Sequence, residues 1–360
     1  MRNYDFLFYI IPPHFFDWIN YHIFPSNQKY KELKNEKKIW IFNCPDYGNM
    51  GDIAISFAQR EFLGNYFPDY KIIMHYISDI YSDMKALKSV INPDDIITIV
   101  GGGNAGSMYP GIEFSRMFII ENFKNNVIIS FPQSFLIEEG YRGRRTLKKM
   151  KRVYGKHQHL ILCAREKDSF NLYREHFNNR IINIPDIALY LYDKMPKANS
   201  SQNDGILICR RNDSESIISD LDWDKIEKMC KSKNIVRFQD TVVDKIYTSF
   251  DDQEREFSML LDDFNSAKLI ITDRLHGMIF SYILGKPCIA LTSKTSKSQG
   301  CYEWIKKCNY IKFLGDCSVS EIENNIDTLL NISYTKKVDL DANYELLYKS
   351  IIEEINEKKE

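Results

Sequence analysis

Residues 37–67 read KKIWIFNCPDYGNMGDIAISFAQREFLGNYF. The run at 37–44 is apolar, with charged residues before it and Pro45 after it, which predicts a buried strand. Residues 53–67 carry apolar side chains at helical spacing, so a polar loop joins this strand to a helix. The same alternation continues as far as residue 192. It predicts an α/β fold in which helices cover both faces of a parallel sheet.

A second α/β pattern follows a polar stretch that contains Pro196 and is typical of a linker. We therefore divide the chain into an aromatic N-terminal segment (1–36), two Rossmann-like domains (37–192 and 205–336) and an amphipathic closing helix (338–360). Two doubly wound domains imply a cleft between them. Ligands of open α/β sheets bind where the strands end, so the residues after each apolar run are the ones to inspect.

The composition argues against several classes of function. Lys and Arg number 48 against 49 Asp and Glu, so no overall attraction to nucleic acid is expected. The eight cysteines are scattered without a C-x-x-C pair, which is typical of reduced thiols in a cytoplasmic protein. No His, Cys or Asp cluster has ligand spacing, so we expect no metal. No apolar run approaches the ~20 residues that span a bilayer, and a secretory signal pattern is absent.

Two surface segments allow alternative interpretations. Residues 1–30 hold ten aromatic side chains, which indicates a peripheral membrane contact, a helix packed on the body of the protein, or a contact between protomers. Residues 141–157 hold eight Lys and Arg and no acid. This run indicates either a solvated helix face or a contact with anionic lipid or a diphosphate head group. The sequence leaves the oligomeric state open.

Small and polar residues follow two strands of the first domain. In Asn49-Met50-Gly51-Asp52 the glycine permits close approach of a ligand, and Asp52 is either a helix N-cap or a functional carboxylate. Three glycines at 101–103 and then Asn104 come after the apolar run DIITIV. They form either a tight turn or a backbone surface for an anion or a sugar. No Gly-Lys-Ser/Thr follows, which weakens a nucleotide-binding interpretation.

Arginines also stand at strand ends. Arg165 follows LILCA, and it either binds a carboxylate or phosphate or forms a structural ion pair with Glu166 or Asp186. Arg210-Arg211 follow GILIC as a less specific cationic end.

The strongest signal is Asp273-Arg274-Leu275-His276-Gly277, after the apolar run KLIIT. If this segment is extended, Arg274 and His276 project to the same side. The arginine supplies a fixed positive charge, and the imidazole titrates near neutral pH. The pair suits a phosphorylated carboxylic acid and a proton transfer.

This ordered set of motifs resembles the polysaccharide pyruvyl transferase family. The resemblance runs from Asn49-x-Gly51-Asp52 through the glycines at 101–103, Pro132-Gln133-Ser134, Arg165-Glu166 with Ser169, and Pro185-Asp186 to Asp273–Gly277. It implies a GT-B-like pair of Rossmann-like domains. It also implies phosphoenolpyruvate as donor and co-substrate, with no other cofactor. The acceptor would be a sugar with two free hydroxyls, often on a polyprenyl-diphosphate carrier, and the product a cyclic pyruvate ketal.

The family's donor-binding residues correspond to Arg165, Arg274, Leu275 and His276. We expect His276 to act as the acid/base, with Arg274 on the donor, and Asp52 as second-choice base. The acceptor side is expected to use the following residues: Asn49, Gly51, Asp52, Gly102, Gly103 and Asn104. These expectations describe a cytoplasmic transferase of exopolysaccharide or capsular polysaccharide biosynthesis, working for the cell envelope at the inner face of the membrane. The alternative is a GT-B nucleotide-sugar glycosyltransferase.

Overall fold

The computed structural model describes residues 29–194, 205–213, 215–315, 318–333 and 335–360. Of the predicted aromatic segment, residues 1–28 lie outside this part of the chain, and so do residues 195–204 of the predicted linker. The chain divides into two compact units. Of the described residues, unit 1 comprises those within 29–46, 55–187 and 341–360, and unit 2 those within 47–54 and 188–340.

The strands alternate with helices along both units. The strands are β1 (Lys38–Cys44), β2 (Tyr47–Asn49), β3 (Lys71–Tyr76), β4 (Ile96–Ile99), β5 (Gly102–Gly106), β6 (Val127–Leu136), β7 (Leu160–Ala164), β8 (Arg180–Asn183), β9 (Ile206–Cys209), β10 (Val236–Gln239), β11 (Val242–Ile246), β12 (Leu269–Thr272), β13 (Cys288–Leu291) and β14 (Ile311–Leu314). The helices are α1 (Met50–Tyr66), α2 (Ile80–Val90), α3 (Pro110–Asn122), α4 (Tyr141–Tyr154), α5 (Lys167–His176), α6 (Asp220–Lys233), α7 (Phe250–Asn265), α8 (Leu275–Leu284), α9 (Lys297–Ile305), α10 (Val319–Leu330) and α11 (Asp341–Lys359).

The sheet of unit 1 has the order β3-β1-β4-β6-β7-β8, with β5 paired to β6, and its pairings are parallel. Strands β1, β4 and β7 are buried along their whole length, because helices cover parallel sheets on both faces. The strand order reverses between β1 and β4. Ligands bind at such a switch point, and the glycines at 101–103 directly follow β4.

The sheet of unit 2 has the order β10-β9-β12-β13-β14 and is also parallel. Its order reverses between β9 and β12, which are paired in register from Leu269↔Ile206 to Thr272↔Cys209. Its core is built from apolar side chains of these strands and of α6 and α10, among them Ile208, Ile271, Trp223 and Ile326. The predicted α/β fold with two parallel sheets is therefore confirmed. The GT-B-like arrangement and its cleft concern the relative placement of the units and stay a prediction.

One segment belongs to a different unit from the one that the predicted boundaries gave it. Residues 47–54 group with unit 2, because β2 pairs antiparallel with β11 in the register Tyr47↔Ile246 and Asn49↔Val242. The C-terminal residues 341–360 group with unit 1, where the Tyr344 hydroxyl donates to the Asp186 carbonyl.

The glycine cluster, for which a tight turn was one alternative, leads into strand β5, with positive φ at Gly102 and Gly106. Two local predictions were wrong. The apolar pattern of residues 181–191 predicts one strand, but residues 187–191 form a 3₁₀ helix, since Pro185 has no N–H for the ladder. The Arg274–Gly277 segment is not extended: only Arg274 has extended backbone angles, and helix α8 begins at Leu275.

Candidate functional site

Two motif segments that lie far apart in the sequence meet inside unit 2. The Met50 N–H donates to the Thr241 carbonyl at 2.8 Å, continuing the ribbon of β2 and β11. This places Gly51 directly against the imidazole of His276. A Cβ atom added at Gly51 would lie 2.2 Å from His276 Nδ1, closer than any real contact. Glycine is therefore the residue that lets the Asn49–Asp52 segment reach His276.

Asn49 and not Asp52 caps helix α1. The Asn49 Oδ1 atom accepts from the N–H groups of Gly51 (3.0 Å) and Asp52 (3.4 Å). The alternative that made Asp52 the N-cap was wrong, because the helix begins at Met50 and Asp52 stands in its first turn. The Asp52 carboxylate instead accepts a hydrogen bond from the Tyr47 hydroxyl at 2.9 Å.

Arg274 is the N-cap residue of α8, and its guanidinium is held from two sides. Its Nε and Nη2 atoms donate to the two carboxylate oxygens of Asp240, each at 2.8 Å, and its Nη1 atom donates to Asp213. Thr272 Oγ1 accepts from the Arg274 N–H at 3.0 Å. The bidentate pair with Asp240 fixes the plane of the guanidinium.

Leu275 and His276 occupy the first turn of α8. N–H groups in a first turn have no partner within the helix and lie at the positive end of its dipole. The His276 side chain is half-buried, and its ring centroid lies 6.0 Å from that of Phe280. Arg274 and His276 therefore lie close together because helix α8 begins between them. The prediction that an extended segment brings them together was wrong.

A second arginine lies beside Arg274. Arg211 donates to Asp213 through Nε (2.9 Å) and Nη2 (3.3 Å), and to Glu215 through Nη2 (2.6 Å). Lys297 at the start of α9 lies 3.9 Å from Glu215. Cationic and acidic side chains thus alternate around the switch point of the unit 2 sheet.

Asp273 is buried directly before Arg274. Its Oδ1 atom accepts from the Arg211 N–H at 2.8 Å, and its Oδ2 atom has no hydrogen-bond partner among the described residues. Burial raises the pKa of this carboxyl from 3.8 to about 6, although the Arg211 N–H opposes the shift. The Asp273 carboxyl can therefore be protonated at weakly acidic pH, up to about pH 6.

Arg165 belongs to a buried network of unit 1. Its side chain is 2% exposed, and it donates to Ser134 through Nε and to Asp186 through Nη1, each at 2.7 Å. The Ser134 hydroxyl donates to Glu166 at 3.0 Å. Ser169 donates to the same carboxylate and accepts from the Phe135 N–H. The structural ion pair with Asp186, one of the alternatives for Arg165, is present. Its donor-binding role stays a prediction.

Asn104 is oriented by a second buried network of unit 1. Its Oδ1 atom accepts from Arg116 Nη2 at 2.8 Å, and Arg116 forms an ion pair with Glu113. Glu113 also accepts from the Gly106 N–H (2.9 Å) and the Tyr154 hydroxyl (2.5 Å). The amide oxygen of Asn104 thus accepts from Arg116, and the NH₂ group is the part of the side chain that can donate to a ligand.

The model of the family "Polysaccharide pyruvyl transferase" matches residues 49–295. The match starts at Asn49 and includes Arg274–Gly277, so both segments that meet in unit 2 belong to it. The chain belongs to the polysaccharide pyruvyl transferase family. It is by that membership a transferase enzyme of polysaccharide biosynthesis.

Related proteins agree with this membership. "General stress protein 30" of Bacillus subtilis (strain 168) is 33% identical over 329 residues, which are 90% of this chain and 94% of that protein. "Pyruvyl transferase 1" of Schizosaccharomyces pombe is 26% identical over 82% of this chain and 75% of its own. The solved structure of the Klebsiella pneumoniae protein KP1_0663 is similar with a TM-score of 0.50 and 18% identity. It covers 80% of this chain and 96% of that one, and shows a shared fold.

Asp240 and the Glu113–Arg116 pair of this transferase were not predicted from the sequence. Residues 235–242 look like one extended element, but the structure breaks it into β10 and β11, and Asp240 stands at the break. Position at a strand end was the signal that could have found it. For Glu113 and Arg116 the signal was two opposite charges three residues apart on an otherwise apolar helix.

Within the described residues, no three His, Cys, Asp or Glu side chains are grouped so as to hold a metal ion. The helices of the described chain include none that combines the length and the hydropathy needed to cross a bilayer.

Proposed function

We propose that the protein transfers the pyruvyl group of phosphoenolpyruvate to two hydroxyls of a sugar and releases phosphate. The observation that carries the proposal is the contact between Gly51 and His276 in unit 2. The two segments in contact carry a carboxylate (Asp52), an imidazole (His276), a guanidinium (Arg274) and the first turn of a helix. A donor with a carboxylate and a phosphate needs cationic groups and N–H donors, and the reaction needs a proton carrier.

The proposed reaction has two steps. In the first step the donor's methylene carbon is protonated to a methyl group, and one sugar hydroxyl adds to the neighbouring carbon and loses its proton. In the second step phosphate leaves with its bonding electron pair, and the second hydroxyl adds to the same carbon and loses its proton. The product is a cyclic ketal, and the proton of the second hydroxyl leaves with phosphate or solvent. No redox change occurs, and side chains carry the proton transfers and the charge stabilisation in this scheme, so we propose no cofactor or metal besides the co-substrate.

Each residue has a role in this scheme. His276 gives the proton to the methylene and takes one from a hydroxyl, and Asp52 is the second candidate for the base. Arg274 and the Leu275 N–H bind the donor and stabilise negative charge. Arg165 is a further candidate for donor binding. The acceptor is proposed to contact the following residues: Asn49, Gly51, Gly102, Gly103 and Asn104.

The test is phosphate release from phosphoenolpyruvate across a panel of lipid-linked and synthetic galactosides, glucosides and mannosides. We expect release with at least one acceptor, and a loss of about 10²–10⁴-fold in His276→Ala, the usual contribution of an acid/base. His176→Ala is the control, since His176 lies in α5 beside Glu175. Turnover of UDP-sugars instead of phosphoenolpyruvate would contradict the proposal and support the glycosyltransferase alternative.

We also propose that α4 contacts an anionic membrane surface or the diphosphate of a polyprenyl-linked acceptor, on the cytoplasmic face of the membrane. Arg142, Arg144, Lys148 and Lys151 are exposed along this helix. Burial lowers the pKa of Lys149 to about 8, and the charges of Arg145 and Arg152 add to the effect. Lys148→Glu with Lys151→Glu should reduce co-sedimentation with vesicles that contain phosphatidylglycerol, in a salt-dependent way. Binding equal to that of the wild type would contradict it.

A further inference from the structure

We infer that Arg211 and Arg274 form one oxyanion site, which the carboxylate of Asp213 occupies in this structure and a small anionic ligand occupies in turnover. The ligand class is a carboxylate or a phosphate ester. Only its identification as phosphoenolpyruvate rests on the proposed function. Arg211 thereby joins Arg274 as an arginine of the donor site, and Arg165 stays a further candidate.

The sheet of unit 2 brings the two arginines together. Cys209 and Thr272 are register partners at the ends of β9 and β12, and each arginine follows its strand by two residues. These strands flank the point where the strand order reverses, which is where α/β sheets bind ligands. The pairing therefore fixes both side chains at the expected ligand position.

Asp213 contacts the pair as a bound oxyanion would. Its Oδ1 atom accepts from Arg211 Nε at 2.9 Å. Its Oδ2 atom accepts from Arg211 Nη2 at 3.3 Å and also from Arg274 Nη1. One carboxylate thus bridges two guanidinium groups, one of them through both oxygens. Planar bidentate binding of this kind suits a carboxylate or a phosphate equally.

The cations are more deeply buried than the anion, which is also held by a hydrogen bond from the Glu215 N–H to its Oδ1 atom at 3.0 Å. Both arginine side chains are 10% exposed, whereas the Asp213 side chain is 40% exposed. Asp240 holds the Nε and Nη2 atoms of Arg274, which leaves Nη1 for the shared anion. Arg211 is tied through its N–H to the buried Asp273. When Asp213 turns toward solvent it loses the arginines and the Glu215 N–H, whereas Arg274 keeps Asp240 and Arg211 keeps the Glu215 carboxylate.

Charge balance favours exchange over an empty site. Without Asp213 the two guanidinium groups keep Asp240 and Glu215 as partners but lose the anion that they share, which favours another anion in its place. Partial burial opposes the ionisation of Asp213, but the hydrogen bonds from Arg211 and the charge of Arg274 lower its pKa overall. At neutral pH it is a charged competitor of the ligand.

The test measures the binding of inorganic phosphate and of phosphoenolpyruvate to the full chain by titration calorimetry. Arg211→Gln should weaken the binding of both by about tenfold or more, the effect of one charge-assisted contact. Asp213→Asn should tighten the binding of both by a similar factor, since the competitor loses its charge. Arg211→Lys keeps the charge without the fork and should fall between Arg211→Gln and the wild type.

Matched controls lie next to these residues. Arg210 pairs with Asp220 and stacks on Trp223, so Arg210→Gln and Asp220→Asn should leave both affinities unchanged. Wild-type affinity in Arg211→Gln, weaker binding in Asp213→Asn, or no binding of either anion by the wild type would overturn the inference. Because Asp213 is exposed, Asp213→Asn should remain folded even if an arginine variant does not.

The proposed function and this inference can fail separately. If anion binding follows the expected pattern but phosphate is never released from phosphoenolpyruvate, the site stands and the proposed function fails. If phosphoenolpyruvate turns over while the Arg211 and Asp213 variants bind it as the wild type does, the function stands and the inference fails.

Discussion

At the scale of single residues, Gly51 is constrained by its close approach to the His276 ring. We expect Gly51→Ala to lower kcat/KM about 100-fold, because its Cβ would displace the His276 ring that it meets at 2.2 Å. The free energy of unfolding should change by less than about 2 kcal/mol, since a side chain and not the backbone gives way. Steady-state kinetics and urea unfolding measure the two effects.

Gly64→Ala is the matched control for Gly51→Ala. Gly64 lies in α1, and a Cβ there would meet Ile72 at an ordinary 3.7 Å. Its activity should equal that of the wild type, and helix propensity should add up to about 1 kcal/mol of stability. Equal activity in both variants would show that the Gly51 contact with His276 has no role in catalysis.

Asp273 makes stability depend on pH in a predictable direction. Its pKa is raised to about 6 in the folded protein, so the folded state binds the proton more tightly than the unfolded state. This contribution to stability is complete below about pH 4 and is lost as the pH rises through about 6. Asp273→Asn should therefore flatten the pH dependence of urea unfolding between these values. An unchanged slope would contradict the assignment.

At the scale of elements, buried networks hold the strand ends of unit 1 in place. Arg165, Ser134 and Asp186 connect the ends of β7, β6 and β8. Arg165→Ala would leave Asp186 buried without its partner, which typically costs about 3–5 kcal/mol. We expect that loss in urea unfolding, and a smaller one in Arg165→Lys. A stable Arg165→Ala with a raised KM for phosphoenolpyruvate would favour donor binding over structure.

Most elements could be predicted because apolar runs of strand length alternate with amphipathic helices. The start of α8 could not, since Arg274-Leu275-His276 has no N-cap pattern and the apolar run begins only at Met278. The pairing of β2 with β11 could not be predicted from the sequence either. Both strands are short, and nearly 200 residues separate them, so no local signal marks their register.

At the scale of the whole molecule, a near-neutral chain keeps its charges in local clusters. The net charge of −1 conceals the arginines at the switch point of unit 2 and the basic face of α4. The motif residues were found from the sequence because strand ends mark ligand positions. The partner of Arg274 is Asp240 and that of Arg165 is Asp186. These pairs depend on which strands are neighbours, and the local sequence does not determine the order of strands in a sheet.

The central claim is that the donor's methylene is protonated while its neighbouring carbon becomes a ketal. The most direct measurement is NMR of the product formed from phosphoenolpyruvate and an accepted sugar in D₂O. The account predicts a ketal whose methyl group carries one solvent deuteron, and loss of this product in His276→Ala. A ketal methyl without solvent deuterium, or undiminished product from His276→Ala, would contradict it.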